Sequence, residues 1–381
     1  MEKKILIIAG EPSGDLHGAY LVKSIKKIIP EAIFFGLGGY LMKKAGVEIT
    51  QDTTKESTIG FIEAIKILPK VLKIYKELKE LTLERNPDLL ILIDYPEFNL
   101  FFAKFAKKAN IPVVYYMPPT IWAWREKRAK KIAKRVDEVI SILPFEKQIY
   151  DKYRVRSTYI GHPLIDIVKI GAKTEEIYKR LGIDNEAKLV GLLPGSRKDE
   201  VERLLPILVK TAELIKESYP KINFIIPLAN NLSFGDIYKI VDRSELKGVG
   251  IKIAREENNY EIMDLCELLI VASGTATLEA MILNVPMVVV YKTNWITWLI
   301  GKSLVKLKYY SLPNIIAGKE IVPEMFQDKA TPELIYREAD KLLRDERIVK
   351  LQKENMEKAK SCIGDIGVID RAANIVGNYL K

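Results

Sequence analysis

The sequence is poor in residues that bind metals or support redox chemistry. Its 381 residues include two cysteines and two histidines. Cys266 and Cys362 have neither metal-ligand nor CxxC spacing, which excludes zinc and dithiol chemistry and fits a reduced cytosolic protein. No stretch reaches the ~18 uninterrupted apolar residues that a membrane-spanning helix needs. The apolar stretch that follows the first four residues is too short for a signal peptide. We therefore expect a cytoplasmic protein without a structural metal.

Length and basic charge are the properties that the chain does have. A chain of 381 residues with 48% hydrophobic content exceeds what one core usually supports, so two domains are expected. The formal net charge of +10 predicts an anionic partner. That partner is a nucleic acid, a membrane surface or a phosphorylated substrate, and charge alone does not choose among them.

Short apolar runs alternate with helical patterns in two series, which predicts two doubly wound parallel sheets. The predicted strands of the first series are Ile5–Ala9, Ile33–Phe35, Leu89–Ile93, Val113–Tyr116 and Val139–Leu143. Those of the second are Leu189–Leu193, Asn223–Pro227, Ile251–Ile253, Leu268–Val271 and Met287–Tyr291. Gly161 and Pro163 lie between the series and suit a hinge. We expect an N-terminal domain over 1–165, a C-terminal domain over 166–335, and helices over 336–381 that pack back on the N-terminal domain.

Two turns in the second half are suited to phosphate binding, because ligands of a doubly wound sheet lie beyond the carboxyl ends of its strands. They are Gly195-Ser196-Arg197 and Ser273-Gly274-Thr275, each at a predicted helix start. Glu279 follows on the same helical face as Thr275 and could accept hydrogen bonds from ribose hydroxyls. The alternative is two ordinary capped turns, with Glu279 as a surface charge. Neither turn has P-loop or GxGxxG spacing.

Acidic residues follow two strands of the first half. Asp94 comes directly after Leu89–Ile93, where a carboxylate could deprotonate a substrate hydroxyl. Glu11 and Asp15 flank the turn after the first strand. The alternative is that these acids cap or start helices. No Asp-x-Asp pair marks a divalent-metal site, so we expect metal-independent chemistry in which Arg197, lysines and helix ends neutralise the leaving group.

Two stretches suggest contact with a lipid surface. The first carries apolar residues at helical spacing beside a row of lysines, and Pro69 is expected to kink or split it. Its predicted lipid contacts are Phe61, Ile62, Ile65, Leu68 and Leu72. The second runs from Trp122 and Trp124 into Arg125 and a dense basic helix. The alternatives are core-facing helices with a solvated basic side, or a nucleic-acid-binding module built on the basic helix.

Eight short segments in this order resemble the lipid-A-disaccharide synthase family over nearly the whole chain. The segments are Gly10-Glu11-Pro12-Ser13-Gly14-Asp15, Ile93-Asp94-Tyr95-Pro96-Glu97-Phe98-Asn99, Trp122-Ala123-Trp124-Arg125, Leu143-Pro144-Phe145-Glu146, Ile160-Gly161-His162-Pro163, Leu193-Pro194-Gly195-Ser196-Arg197, Ser273-Gly274-Thr275 through Glu279, and Ser311-Leu312-Pro313-Asn314. Each segment by itself is a weak indication of the family, whereas the order and spacing of the segments are specific to it.

The resemblance implies a GT-B-like glycosyltransferase with two doubly wound domains facing across a cleft. Such an inverting enzyme transfers 2,3-diacylglucosamine from its UDP donor to the 6-hydroxyl of 2,3-diacylglucosamine 1-phosphate, giving the β-1,6-linked disaccharide and UDP. By the same resemblance Arg197, Glu279 and Asn314 contact UDP, Asp94 is the acid–base residue and Glu11 lies nearby.

The resemblance also implies peripheral association with the inner face of the cytoplasmic membrane, and it allows a homodimer. No cofactor and no nucleic acid is expected. The alternative function is that of a nucleotide-sugar 2-epimerase, an isomerase built on the same two-domain plan.

Overall fold

A computed structural model describes residues 2–53, 61–122, 126–171, 174–184, 188–229, 231–255, 259–295, 298 and 307–381, with the side chains of 61–67 left aside. The chain divides into two compact units. The first combines residues 1–166 with 363–381, and the second is continuous from 167 to 362.

The first unit contains a seven-stranded sheet in the order β3-β2-β1-β4-β5-β6-β7, and every neighbouring pair is parallel. Its strands are β1 (Lys4–Ala9), β2 (Ile33–Gly38), β3 (Val47–Asp52), β4 (Leu89–Ile93), β5 (Val113–Tyr116), β6 (Glu138–Ser141) and β7 (Ser157–Tyr159). Its helices are α1 (Pro12–Ile28), α2 (Tyr40–Lys44), α3 (Phe61–Arg85), α4 (Pro96–Lys108), α5 (Ala129–Ala133), α6 (Glu146–Lys152) and α7 (Leu164–Ile167), which reaches the boundary.

The second unit contains a six-stranded parallel sheet in the order β10-β9-β8-β11-β12-β13. Its strands are β8 (Leu189–Leu193), β9 (Asn223–Pro227), β10 (Ile251–Ala254), β11 (Leu268–Ala272), β12 (Met287–Tyr291) and β13 (Glu324–Phe326). Its helices are α8 (Thr174–Leu181), α9 (Lys198–Ser218), α10 (Phe234–Tyr238), α11 (Arg243–Val249), α12 (Asn259–Asp264), α13 (Thr275–Leu283), α14 (Leu312–Ala317), α15 (Pro332–Arg344) and α16 (Glu346–Ser361).

Both central sheets follow from the apolar runs of the sequence. All residues of β4, β8 and β11 are buried, as expected of parallel strands covered on both faces by helices. The prediction of two doubly wound parallel sheets is therefore confirmed. The sequence analysis missed β3, β7 and β13, which are partly exposed strands, and β7 and β13 are only three residues long. Such strands lack the continuous apolar run that marks a central strand.

The C-terminal helices are shared between the units, whereas we predicted that all of 336–381 packs on the N-terminal domain. Helix α15 buries Ile335, Ala339 and Leu342 in the core of the second unit. The last helix, α17 (Val368–Asn378), packs against α1 of the first unit instead. Ser24 of α1 donates a 2.6 Å hydrogen bond to Asp370. Helix α15 packs on α9 and helix α16 packs on α13 and α14, whereas α17 packs on α1, so the segment divides near residue 363.

Pro69, which was expected to kink or split its helix, lies inside one continuous helix. Helix α3 continues from Phe61 to Arg85 with Pro69 inside it, so the proline does not split the helix. Ile74 and Leu78 anchor α3 to the core of the first unit, and this tertiary packing compensates for the backbone hydrogen bond that a proline removes.

Candidate active-site residues in the two units

In each sheet the strand order reverses at one point, and ligands of doubly wound folds bind beyond the strands at such a point. The reversal lies between β1 and β4 in the first sheet and between β8 and β11 in the second. Glu11 and Asp94 follow the first pair of strands. The turns that begin at Gly195 and Ser273 follow the second pair. The predicted acids and the predicted phosphate-binding turns therefore lie at the two places where the topology favours a site.

Asp94 is held in an unusual backbone conformation at the end of β4. Both Asp94 and Tyr95 have left-handed φ values, 45° and 47°, which cost on the order of 1 kcal/mol each in a residue other than glycine. The carbonyl oxygen of Asp94 accepts hydrogen bonds from the Asn99 amide at 2.7 Å and from the Tyr115 hydroxyl at 2.6 Å. Asn99 is fully buried. The neighbouring side chains thus fix the peptide that carries the partly exposed Asp94 carboxylate.

The turn after β1 fits closely against this segment. A Cβ at Gly10 would collide with the ring of Tyr95, so only glycine allows the ring to lie over the turn. Glu11 follows at the N-cap position of α1, in extended conformation and partly exposed. The structure therefore brings the turn that carries Glu11 and the residue after Asp94 into contact.

Asp15 has a structural role, in line with the alternative that these acids cap or start helices. Its buried carboxylate accepts hydrogen bonds from the backbone N–H groups of Gly39, Leu41 and Met42, at 2.8 to 2.9 Å. These groups belong to the start of α2, so the carboxylate caps that helix from a distance. We leave Asp15 out of the candidate site.

The two histidines form a buried pair, which sequence reasoning missed. The rings of His17 and His162 meet edge to face, with centroids 6.1 Å apart. Burial lowers the pKa of His17 to about 4. Burial, and then the proximity of His17, hold the pKa of His162 well below its usual range. The residues are 145 positions apart, and no local pattern of the sequence reports such a contact.

Acidification is expected to destabilise the native protein relative to a His17→Gln variant. Because the folded pKa of His17 lies below the unfolded value of about 6.5, the unfolded chain binds more protons between pH 6.5 and 4. The stabilisation present above pH 6.5 is therefore lost towards pH 4, by up to about 3 kcal/mol.

Urea unfolding of both proteins at pH 7.5, 5.5 and 4.5 measures this effect. The difference between the two unfolding free energies cancels the contribution of carboxyl groups such as Glu146, whose pKa burial raises to about 7 and which titrate in the opposite sense. It reports His17 together with the effect of His17 on the pKa of His162. A difference that is constant with pH would contradict the prediction.

In the second unit, the turn after β8 is built around a glycine. Gly195 has φ of +113°, a conformation that glycine adopts easily. The amide of Asn231 donates a 2.7 Å hydrogen bond to the carbonyl of Ser196 and holds the turn. Arg197 occupies the N-cap position of the long helix α9. Backbone N–H groups at a helix start and a guanidinium are groups that bind phosphate.

A carboxylate that the sequence analysis did not consider lies against this turn. Glu200 is the third residue of α9, and Arg197 donates a 3.1 Å hydrogen bond to it from its guanidinium. The side chain of Glu200 is 15% exposed, whereas that of Arg197 is 47% exposed. Glu200 is at the third helical position, from which its carboxylate reaches back to the backbone N–H of the N-cap residue. Because that N-cap residue is Arg197, which has no side-chain acceptor, no capping-box pattern marks this contact in the sequence.

The second turn leads into α13 without a side-chain cap. Gly274 is the N-cap residue, Gly274 and Thr275 are exposed, and no atom lies within 4 Å of a Cβ built at Gly274. Ser273 donates its backbone N–H to the carbonyl of Val290, which fixes the turn to the neighbouring strand. The N-terminus of α13 is therefore open to an anion, which the helix dipole would stabilise there.

Glu279 lies on α13 one turn beyond this N-terminus. The hydroxyl of Tyr260 donates a 3.1 Å hydrogen bond to the Glu279 carboxyl group. Burial raises the pKa of Glu279 to about 7, and the Tyr260 hydrogen bond opposes that rise. A partly exposed carboxyl group of this kind can accept hydrogen bonds from a diol once it is ionised.

The structure does not support a direct contact between Asn314 and a ligand. Asn314 is fully buried, and both the oxygen and the nitrogen of its side-chain amide form hydrogen bonds within the protein. Its oxygen accepts from the N–H groups of Ile321 and Val322, and its nitrogen donates to the Val322 carbonyl and to Glu324. Glu324 also accepts from the Ser311 backbone and hydroxyl. We therefore correct the prediction that Asn314 contacts UDP: this geometry makes it a residue that positions the start of α14.

Part of the predicted lipid surface is exposed. Leu68 and Leu72, one turn apart on α3, are 54% and 53% exposed. Phe101 of α4, which the sequence analysis missed, is 52% exposed and contacts Tyr75 of α3 with ring centroids 4.7 Å apart. We call Leu68, Leu72, Tyr75 and Phe101 the α3–α4 patch.

The other predicted lipid contacts are not exposed or not described. Trp122 is partly buried and packs edge to face on Phe145, with ring centroids 4.9 Å apart. The side chains of Phe61, Ile62 and Ile65, and the residues Trp124 and Arg125, lie outside the described residues.

The described residues contain neither a candidate metal cluster nor a membrane-spanning helix. No cluster of three or more histidine, cysteine, aspartate or glutamate residues among them could hold a metal ion. Within the same part of the chain, no helix combines the length and apolar character needed to cross a membrane.

Comparison with known sequences gives consistent matches along the chain. The family model described as Lipid-A-disaccharide synthetase matches residues 5–372. A lipid-A-disaccharide synthase of Geobacter metallireducens is 40% identical over 374 residues, which cover 98% of this chain and 96% of that protein. One from Persephonella marina is 39% identical over 379 residues and covers 98% of both chains.

Solved structures of low sequence identity share the fold. A UDP-GlcNAc 2-epimerase from Neisseria meningitidis, bound to UDP-GlcNAc, superposes with a TM-score of 0.67 at 14% identity and covers 99% of both chains. A glycosyltransferase from Rickettsia africae superposes with a TM-score of 0.58 at 14% identity, covering 100% of this chain and 99% of its own. At such identity the likeness shows a common GT-B architecture and does not distinguish an epimerase from a transferase.

Proposed function

The chain belongs to the lipid-A-disaccharide synthase family, and from that membership we propose how its own residues carry out the reaction. It is a glycosyltransferase of lipid A biosynthesis. The epimerase alternative is not favoured, because it rests on structural neighbours at 14% identity, whereas synthases at 37 to 40% identity match almost the full length.

We propose that the enzyme binds a nucleotide-sugar donor, UDP-2,3-diacylglucosamine, and transfers its sugar to the 6-hydroxyl of 2,3-diacylglucosamine 1-phosphate. The observation that carries this proposal is the pair of strand-order reversals. One is followed by fixed acidic residues, and the other is followed by two turns suited to a diphosphate. The UDP-bound epimerase of the same fold is consistent with a nucleotide-sugar site.

In the proposed mechanism, the Asp94 carboxylate takes the proton of the 6-hydroxyl as that oxygen attacks the anomeric carbon. The bond between this carbon and the diphosphate oxygen breaks, and the configuration at the anomeric carbon inverts. Arg197 and the N–H groups of Gly195, Ser196, Ser273, Gly274 and Thr275 stabilise the charge that develops on UDP. Glu279 accepts hydrogen bonds from the ribose. Glu11 is the second acid beside Asp94.

Product analysis by mass spectrometry tests the proposed function. Incubation with both acylated substrates should yield the disaccharide 1-phosphate and one UDP per disaccharide. Release of UDP without acceptor would instead indicate a hydrolase or an epimerase. The same reaction run with excess chelator should keep its rate, because the proposal assigns no step to a metal.

We also propose that the α3–α4 patch attaches the protein peripherally to the inner face of the cytoplasmic membrane, where acylated substrates reside. Leu68, Leu72 and Phe101 offer apolar side chains for insertion, and Lys70, Lys73 and Lys76 are exposed on the same helix. Each basic residue near an anionic bilayer contributes roughly 1 kcal/mol. A homodimer stays a prediction.

Replacing both Leu68 and Leu72 with serine should weaken binding to vesicles containing anionic lipid by at least about tenfold, since each inserted leucine contributes roughly 1.5 to 3 kcal/mol. Phe101→Ser should have a similar but smaller effect. Sedimentation with vesicles measures the binding, and UDP affinity should not change. Leu351→Ser is the matched control, because Leu351 is a 60% exposed leucine of the second unit. Unchanged vesicle binding by the double variant would reject the patch.

A further inference from the structure

Glu200 occupies the position against the Gly195 turn where an anion is most stabilised. Its carboxylate accepts hydrogen bonds from the backbone N–H and the guanidinium of Arg197. A Cβ at Gly195 would lie 2.7 Å from the other carboxylate oxygen, so the carboxylate lies directly against the turn. The N-terminus of α9 thus already has an internal anion in the absence of a ligand.

We propose that donor binding moves Arg197 from Glu200 to the diphosphate, and that Glu200, which stays partly buried, then takes up a proton from solvent. This inference rests on the proposed function of the turn as the diphosphate site. It makes Glu200 a positioning residue: it holds Arg197 beside the turn before the donor arrives and loses its charge afterwards.

The surrounding charges support this exchange. Burial raises the pKa of Glu200, the Arg197 ion pair and hydrogen bonds lower it, and Asp199 raises it again. Tyr291 of β12 also faces Glu200, and its own pKa is raised by burial and by Glu200. Once Arg197 bonds to the diphosphate, Glu200 loses its cationic partner and gains an anionic neighbour. Both changes favour the protonated carboxyl group.

Calorimetric titration with UDP at pH 8 tests the inference, in buffers of different ionisation enthalpy that report the number of protons taken up. At this pH the terminal phosphate of UDP is ionised, so it contributes little to the proton count. Glu200→Gln keeps the shape of a protonated glutamate, and it should take up fewer protons than the native protein, by up to one. It should also bind UDP more tightly, with a gain approaching tenfold per pH unit between the pKa of Glu200 in the free protein and its pKa in the UDP-bound protein.

Glu202→Gln is the matched control, since Glu202 is an exposed acid on the same helix and should leave the proton count unchanged. Glu279 is the other carboxyl group of the proposed donor site with a raised pKa, and it could add to the count. If Glu200→Gln does not fold, a Glu279→Gln variant reports on Glu200 instead. Proton uptake on UDP binding should persist in this variant.

The outcomes separate the inference from the proposed function. The inference alone is overturned if UDP binds with the same proton count to the native protein and to Glu200→Gln. It is also overturned if UDP binds to Glu279→Gln without proton uptake. Failure of the native protein to bind UDP overturns the donor site and the inference together.

Discussion

Asp94→Asn should lower turnover by about 10²- to 10⁴-fold, the usual contribution of a general base. Asparagine has a similar shape, and the hydrogen bonds from Asn99 and Tyr115 reach the backbone carbonyl of residue 94, so the segment should keep its conformation. The substitution removes the carboxylate that is proposed to accept the acceptor proton. Disaccharide formation from acylated substrates measures the rate, and calorimetry should show unchanged UDP affinity, because the proposed donor residues belong to the other unit.

Glu97→Gln is the control for this experiment. Glu97 is an exposed acid three residues after Asp94, in the first turn of α4, and its ion pair is with Arg128. Its loss should change the rate less than about twofold, because the Glu97 carboxylate is exposed, contributes little to stability and has no role in the proposed mechanism. Near-normal turnover of Asp94→Asn with intact UDP binding would remove Asp94 as the base, and Glu11→Gln would be the next variant to examine.

Arg197→Met should weaken UDP binding by about 10- to 100-fold, because a hydrogen bond to a charged group contributes roughly 1.5 to 3 kcal/mol. Methionine retains part of the side-chain length and removes the charge. Turnover should fall as well, since the guanidinium is proposed to stabilise the leaving diphosphate. Calorimetric titration with UDP gives the affinity, and disaccharide formation gives the rate.

Arg203→Met provides the comparison on the same helix. Arg203 pairs with Asp199 one turn into α9 and is not among the proposed donor residues. The affinity of the Arg203→Met variant for UDP should match that of the native protein. Equal UDP affinity in Arg197→Met and the native protein would show that the Gly195 turn does not bind the diphosphate.

The central strands and the strand-end residues could be predicted because they depend on local chemistry. Fully buried parallel strands require continuous apolar runs, and the topology then places Asp94, Arg197 and Ser273 at the strand ends. The edge strand β13 was not predictable in this way. It pairs with β12, but only three residues are involved, and one of them is Glu324, whose carboxylate bonds to Ser311 and Asn314.

Contacts between residues distant in sequence account for most of the site features that could not be predicted from the sequence. The Phe101–Tyr75 contact joins two helices, and the His17–His162 pair joins α1 to the segment before α7. The role of Asn314 could not be predicted, because a sequence does not distinguish a buried asparagine that bonds to the backbone from an exposed asparagine that binds UDP. The contact between Glu200 and Gly195 is local, but no pattern in the sequence reports it.

The discontinuous first unit has a consequence for synthesis on the ribosome. The second unit contains all of its elements once residue 362 has been translated, whereas the first unit still lacks α17, the helix that covers α1. We therefore expect the nascent chain to complete its later half first, reversing the usual N-to-C order of domain folding. Until α17 arrives, the face of α1 that α17 covers stays open to chaperones, and removing the last helix should compromise the unit that begins the chain.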